Sequence, residues 1–114
     1  MLKYTPYLRL SQHESGHYEL GFVFQADSKQ TIIGIDQAPV TDDSHNYWAV
    51  TIRLSSRIEI VNGPDEPVIS GTISIDSAVA SQYTTIKCLI QQDLAGENET
   101  ANARDTKIDF SDAD

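Results

Sequence analysis

The chain has one cysteine, one methionine and one tryptophan in 114 residues, and few basic residues. The single cysteine, Cys88, cannot form an intramolecular disulfide, so we expect a reducing, cytoplasmic compartment. No apolar run approaches the ~20 residues that a membrane span needs, and residues 1–10 lack the continuous apolar segment of a signal peptide. Eight basic residues against 17 acidic ones give a net charge of -9, which disfavours general attraction to polyanions. These absences predict a soluble single domain with a modest apolar core and no membrane partner.

Apolar and polar residues alternate along most of the chain, which is the pattern of half-buried β-strands. The longest set keeps one parity from Trp48 to Ile60, and turn-forming segments such as HESG, ADSKQ and NGPDEP separate the sets. The pattern predicts an all-β fold, a small antiparallel barrel or sandwich of about six or seven strands, with an oligonucleotide-binding (OB)-like barrel favoured. The other alternating apolar positions are Leu2, Tyr4, Leu8, Leu10, Tyr18, Leu20, Phe22, Phe24, Ile33, Ile35, Ile69, Ile73, Ile75, Thr84, Ile86, Cys88 and Ile90.

Three hairpins are predicted from the turn segments. Loops at residues 14–16, 28–29 and 62–67 each allow a register that keeps apolar side chains on one face. The first loop needs Gly16 in the left-handed conformation. The three predicted pairs are Leu10 with Leu20, Phe24 with Ile33, and Leu54 with Ile75.

Residues 13–17, HESGH, match the H-E-x-x-H spacing of zinc metalloproteases. That motif works on a helix, where residues four apart share a face and both imidazoles reach one zinc ion. Here the motif contains a Ser-Gly pair and runs into the alternating segment HYELGF, so we predict a hairpin with His13 and His17 as exposed cross-strand neighbours. A zinc site using this stretch, with His45 as the remaining histidine, is kept as an alternative. The main prediction is a protein that is not an enzyme and that has no metal or cofactor.

The positions facing outward on the predicted strands carry tyrosine, arginine and lysine. Aromatic rings stack on bases and cations contact phosphates, and OB barrels present such residues on their middle strands. Single-stranded nucleic-acid binding is therefore the leading hypothesis, although any half-buried strand also places such residues outside. The predicted nucleic-acid-binding residues are Tyr7, Arg9, Tyr47, Arg53, Arg57, Tyr83 and Lys87.

Residues 93–114 lose the alternation and carry seven acidic residues against Arg104 and Lys107. We predict a β domain over residues 1–92 and a flexible acidic tail over residues 93–114. A β body, a polar linker and the acidic segment KIDFSDAD together resemble the organisation of bacterial single-strand-binding proteins. The resemblance implies a tail that occupies the vacant nucleic-acid groove or recruits partners, but this sequence finishes in Asp-Ala-Asp where that family has an apolar tip. The predicted partner-binding residues of the tail are Asp109, Phe110, Asp112 and Asp114.

Two hypotheses from other classes remain open. One is an acidic protein–protein interaction module, an inhibitor or accessory factor that binds a basic protein partner. The other is a structural subunit that forms a homo-oligomer through exposed strand edges, with Val23, Ile32 and Leu89 in its interface.

Overall fold

The computed structural model describes residues 6–25, 30–42, 45–55, 67–93 and 103–114. Within these ranges the chain forms seven strands, one short α-helix and a final 3-10 helix. The strands are β1 (Tyr7–Gln12), β2 (Tyr18–Gln25), β3 (Ile32–Asp42), β4 (His45–Ser55), β5 (Val68–Ile75), β6 (Thr85–Asp93) and β7 (Ala103–Asp109). The helix α1 spans Ser77–Ala80, and the 3-10 helix spans Phe110–Asp112. In these ranges, no helix has the length and apolar character needed to cross a membrane.

The described strands form two sheets and not a closed barrel. One sheet has three antiparallel strands in the order β1-β2-β5, and the other has four in the order β3-β4-β6-β7. In the four-stranded sheet β4 and β6 run parallel, because the chain contributes β5 to the other sheet before it returns as β6. The all-β prediction is confirmed as a sandwich-like fold, whereas the predicted OB-like barrel is not.

The first hairpin has the predicted register. Leu10 is paired with Leu20, and Gly16 adopts a φ of 93°. The His13 backbone N–H donates to the His17 carbonyl oxygen at 2.9 Å and closes the loop. Glycine takes this left-handed conformation without the steric penalty that a Cβ atom would bring.

The other two predicted registers are wrong. β2 pairs with β5 and not with β3, which sets Phe24 opposite Ile69. β4 pairs with β3 and β6, so the partners of Leu54 are Ile32 and Gln92. Alternation identifies which face of a strand is apolar, but many strands offer a matching face, so it does not identify the partner. The predicted continuation of the alternation to Ile60 lies outside the described residues.

The inward faces of the two sheets form one apolar core. Burying a side chain of leucine, isoleucine or valine contributes about 1.5–3 kcal/mol. Within the three-stranded sheet, the Phe22 ring lies over its cross-strand neighbour Gly71, where a Cβ atom would be 2.9 Å from the ring. The largest fully buried side chains are Leu10, Leu20, Val50, Ile52, Leu54, Ile75, Ile86, Cys88 and Ile90.

Strand β3 departs from the predicted alternation. The register shifts between Ile32 and Gly34, which is a β-bulge or a similar irregularity. Ile32, predicted to face outward, packs against the core, while Ile33, predicted to face inward, is 49% exposed. An extra residue in one strand reverses the faces of the side chains around it, which explains the exchange.

Residues 103–114 are part of the fold, so the predicted flexible tail is not confirmed. β7 pairs antiparallel with β6, and the Phe110 ring is buried with its centroid 5.0 Å from that of Tyr18. The backbone of Asp114 donates to the Leu10 carbonyl oxygen at 3.0 Å and accepts from the Gln12 N–H at 3.1 Å. β7 is an edge strand with few apolar residues, which is why alternation did not reveal it. Residues 94–102 lie outside the described ranges.

Candidate binding face of the four-stranded sheet

Among the described residues, three of the seven predicted nucleic-acid-binding side chains share one surface. Tyr47 and Arg53 project outward from β4, and Lys87 projects from the adjacent β6. Lys107, on β7, joins them: its Nζ lies 4.9 Å from the centroid of the Tyr47 ring, and Lys87 Nζ lies 6.0 Å from it. Sequence reasoning missed Lys107 because it assigned this residue to the tail. We call this surface the mosaic face and define it by Asp36, Tyr47, Arg53, Thr85, Lys87, Leu89, Asp105, Lys107 and Asp109.

The other four predicted residues do not lie on the mosaic face or cannot be placed. Tyr7 and Arg9 are on β1 of the three-stranded sheet, whose outer face points away from the mosaic face across the sandwich. Tyr83 packs against the core with its ring centroid 5.6 Å from that of Trp48. Arg57 lies outside the described residues. A contiguous surface of all seven residues is therefore not formed by those that the structure describes.

Two basic side chains of the mosaic face contact carboxylates. Lys87 Nζ is 3.4 Å from Asp105 Oδ2, and Arg53 Nη1 is 3.8 Å from Asp36 Oδ2. Exposed pairs of this kind contribute about 0–1 kcal/mol each, so they matter little for stability. Their effect on surface charge is larger, because in the part of the face that the structure describes each of these two cations has a carboxylate beside it.

The predicted tail residues have intramolecular contacts. Asp109 Oδ1 accepts from the Thr85 hydroxyl at 2.7 Å, and Asp112 Oδ2 accepts from the Asp109 backbone N–H at 3.2 Å. Arg9 Nε donates to Asp114 Oδ2 at 3.1 Å. Together with buried Phe110, these contacts connect residues 109–114 to both sheets and use the side chains that a recruiting tail would present.

The H-E-x-x-H stretch forms the tip of the first hairpin. The His13 and His17 rings stack with centroids 4.5 Å apart and planes 7° apart, in the cross-strand arrangement that was predicted. The carboxylate beside them belongs to Glu19, whose Oε2 is 2.7 Å from His13 Nε2, while Glu14 lies in the turn. This geometry differs from the helical metalloprotease site. His45 is elsewhere, with its ring stacked 6.1 Å from Tyr47.

A shallow groove of about 370 Å³ lies on the outer face of the three-stranded sheet. It passes over Gly21, which has no side chain to fill the space. Tyr7, Val23 and Thr72 are among the side chains at its borders, and Tyr7 is 70% exposed. The groove is open and mainly apolar, with Arg9, Ser70 and Thr72 as the polar side chains of its lining.

The free thiol of Cys88 is not an activated nucleophile. The side chain is fully buried, and this burial raises the pKa of the thiol to about 12 from its usual 9.0. The thiolate is the reactive form of cysteine, so a thiol that holds its proton so strongly is inert at neutral pH. Cys88 is a small core residue, as its place in the alternation predicted.

Comparison with known proteins finds no matching family model, no matching curated protein and no matching solved structure. The function must therefore be inferred from the chemistry of the exposed faces. The mosaic face combines an aromatic ring with charges of both signs, and the hairpin tip combines two imidazoles with a carboxylate.

Proposed function

We propose that the chain is a non-catalytic protein-binding module that recognises its partner through the mosaic face. The observation that carries this proposal is the presence of both signs of charge on the mosaic face. Lys87 lies against Asp105, and Arg53 lies near Asp36. A phosphate backbone presents one sign of charge, whereas a protein surface presents both, so a mosaic of charges complements a protein better than a nucleic acid.

The residue types of the mosaic face also support protein binding. Tyrosine and arginine are enriched among the residues that contribute most to protein interfaces. Half-buried Tyr47 and Leu89 add apolar area between the charged groups. The net charge of -9 favours a partner with a basic surface, because long-range attraction speeds encounter. A cytoplasmic location is part of the proposal.

Binding through the mosaic face is better supported than assembly through the free edge of β3. Pro39 lacks a backbone N–H, and proline on an edge strand hinders the addition of another strand. Two residues earlier on the same strand, Gln37 Nε2 donates to the Ser74 carbonyl oxygen of β5 at 3.0 Å, and Trp48 Nε1 donates to Gln37 Oε1 at 2.9 Å. The Gln37 side chain therefore occupies a backbone carbonyl of β5 that a second copy could otherwise bind.

The test is affinity capture with three forms of the full chain from extracts of the cells in which it occurs. These are the wild type, the mosaic-face variant Tyr47→Ala/Arg53→Glu, and the control Ser70→Ala/Thr72→Ala on the other outer face. We expect the wild type and the control to retain a protein that the mosaic-face variant loses. Its retention should survive nuclease treatment, and the purified protein should form a complex with the chain again. Identical capture by all three forms would refute the proposal, and thermal unfolding would show that each form is folded.

Single-stranded nucleic-acid binding is a second candidate function, supported by the position of Lys87 and Lys107 beside the Tyr47 ring. A ring that stacks on a base, with cations that contact the flanking phosphates, is the local chemistry of such sites. Anisotropy of labelled oligo-dT at low and moderate salt tests it. Binding that salt weakens and Tyr47→Ala abolishes would favour this function over protein binding. No binding at low salt, where electrostatic attraction is strongest, would eliminate it.

A further inference from the structure

We propose that the tip of the first hairpin binds a divalent transition-metal ion through His13, His17 and Glu19. A nitrogen from each imidazole and an oxygen from the carboxylate all lie within 4.8 Å of one another. Two imidazoles and one carboxylate form a ligand set that suits zinc and other first-row metals. We call these three residues the hairpin cluster. The proposal is independent of the mosaic face.

The backbone of the hairpin holds both imidazoles in place. The His13 N–H donates to the His17 carbonyl oxygen at 2.9 Å, and the Gly16 N–H donates to the His13 carbonyl oxygen at 2.8 Å. With the loop closed in this way, the two rings lie parallel on one side of the hairpin, 4.5 Å apart. The nitrogen lone pairs of an imidazole lie in the ring plane, so the two stacked rings would rotate about their side-chain bonds to share one ion. The loop itself would not have to refold.

Glu19 supplies the third ligand from β2. It lies two residues beyond His17 along an extended segment, so both side chains are on the same face of the sheet. Its Oε2 is 2.7 Å from His13 Nε2, which shows that a carboxylate oxygen and an imidazole nitrogen already converge. The side chains of His13 and Glu19 are 45% and 37% exposed, so an ion can enter and water can occupy the remaining coordination positions.

Ser15 provides an outer contact of the kind that metal-binding histidines use. Its hydroxyl oxygen forms a hydrogen bond with His17 Nδ1. When Nδ1–H is the donor, His17 Nε2 has a free electron pair for the metal. Such outer contacts orient the ring, and their loss lowers metal affinity by about 10–100-fold, so Ser15→Ala is expected to weaken binding without abolishing it.

The position of the acid distinguishes the hairpin cluster from the metalloprotease motif that the sequence contains. In a helical H-E-x-x-H site the glutamate between the histidines acts on the metal-bound water. In this chain that glutamate is Glu14, in the turn, and the acid that contacts an imidazole is Glu19. Metal binding here should therefore depend on Glu19 and not on Glu14, and it carries no expectation of proteolysis.

The experiment titrates Zn²⁺ into the metal-free full chain by isothermal calorimetry at neutral pH. We expect one ion per chain and an affinity at least tenfold lower in His13→Ala, His17→Ala and Glu19→Gln. Glu14→Gln and His45→Ala are the matched controls and should bind like the wild type. Ni²⁺ and Cu²⁺ titrations would rank the metals.

Three results would overturn the proposal: no binding of Zn²⁺ by the wild type at millimolar concentrations, an unchanged affinity in His17→Ala, or equal losses in Glu14→Gln and Glu19→Gln. A variant that unfolds would lose affinity for Zn²⁺ for a reason unrelated to the substituted ligand. Thermal unfolding with and without Zn²⁺ provides an independent measurement, because an ion that binds the folded state raises Tm. The increase should occur in the wild type and the controls and be absent from variants of the hairpin cluster.

Discussion

The two outer faces of the sandwich differ in side-chain size and charge. The mosaic face presents Tyr47 beside two lysines, one of which contacts the carboxylate of Asp105. The opposite face, on the three-stranded sheet, has Gly21 under a shallow groove that Arg9 also lines, and the imidazoles and carboxylate of the hairpin cluster lie at its end. Both faces cover the same core, and we propose a protein contact for the first and an ion at the tip of the second.

The difference between the two faces shows which residues of a β-sandwich can vary without disturbing the core. Every second residue of a strand faces the core, where one aliphatic side chain can replace another of similar volume at a small cost in stability. The intervening residues face outward and do not pack in the core, so they can differ between the two sheets. Substitutions that weaken the common core should therefore affect both faces, and substitutions on one face should leave the other intact.

The largest expected effect comes from Phe110→Ala. The ring is 9% exposed and packs edge-on against Tyr18, so its removal should lower the free energy of unfolding by about 3–5 kcal/mol. Urea denaturation followed by tryptophan fluorescence measures the change, with exposed Ser111→Ala as the control. A loss no larger than the control's would mean that residues 103–114 behave as the flexible tail first predicted and support neither face.

A matched pair of glycine substitutions compares the inside of the three-stranded sheet with its outside. Gly71→Ala should destabilise by about 1–3 kcal/mol because the new Cβ would be 2.9 Å from the Phe22 ring. Gly21→Ala, whose Cβ would be 3.7 Å from the Arg9 carbonyl oxygen, should change stability by less than about 1 kcal/mol. Urea midpoints of the two variants provide the test. Equal losses would contradict the assignment of the two faces.

Alkaline pH should lower the free energy of unfolding through Cys88, which is buried beneath the mosaic face. Since burial raises the pKa of Cys88 from 9.0 to about 12, the folded state favours the protonated thiol. The stabilisation is fully present below pH 9 and is lost as pH rises from 9 towards 12, by up to about 1.4 kcal/mol per pH unit, as the unfolded thiol ionises. Unfolding in urea at pH 8 and about pH 10.5, with reductant, measures the loss. Cys88→Ala should show a smaller pH-dependent loss, and an equal loss would assign the effect to other groups.

The smallest expected effect tests the charge pattern of the mosaic face. Asp36→Asn combined with Asp105→Asn removes the carboxylate partners of Arg53 and Lys87, and should alter stability by less than about 1 kcal/mol per pair because these pairs are exposed. The face becomes more positive, so oligo-dT should bind more tightly than it does to the wild type. An unchanged affinity for oligo-dT would indicate that charge on the mosaic face does not control nucleic-acid binding.

Parts of the fold and of the candidate sites were predictable from local pattern. The hairpin register at Leu10 and Leu20 follows from a short loop between adjacent strands, and it also correctly placed His13 and His17 side by side. The pairing of β2 with β5 was not predictable, because strands distant in the chain present equally apolar faces. Lys107 was missed for a related reason: β7 has too few apolar residues to show a period.

The amino-acid sequence by itself determined the all-β class, the inward parity of most strands and the first hairpin, since these depend on neighbours in the chain. The tertiary structure decided which strands pair, and therefore which exposed residues meet. It separated Tyr7 and Arg9 from Tyr47, brought Lys107 to the Tyr47 ring, and placed Glu19 beside His13. Alternation sets the direction of a side chain relative to its own strand, whereas its neighbours across the sheet depend on long-range packing of the whole core.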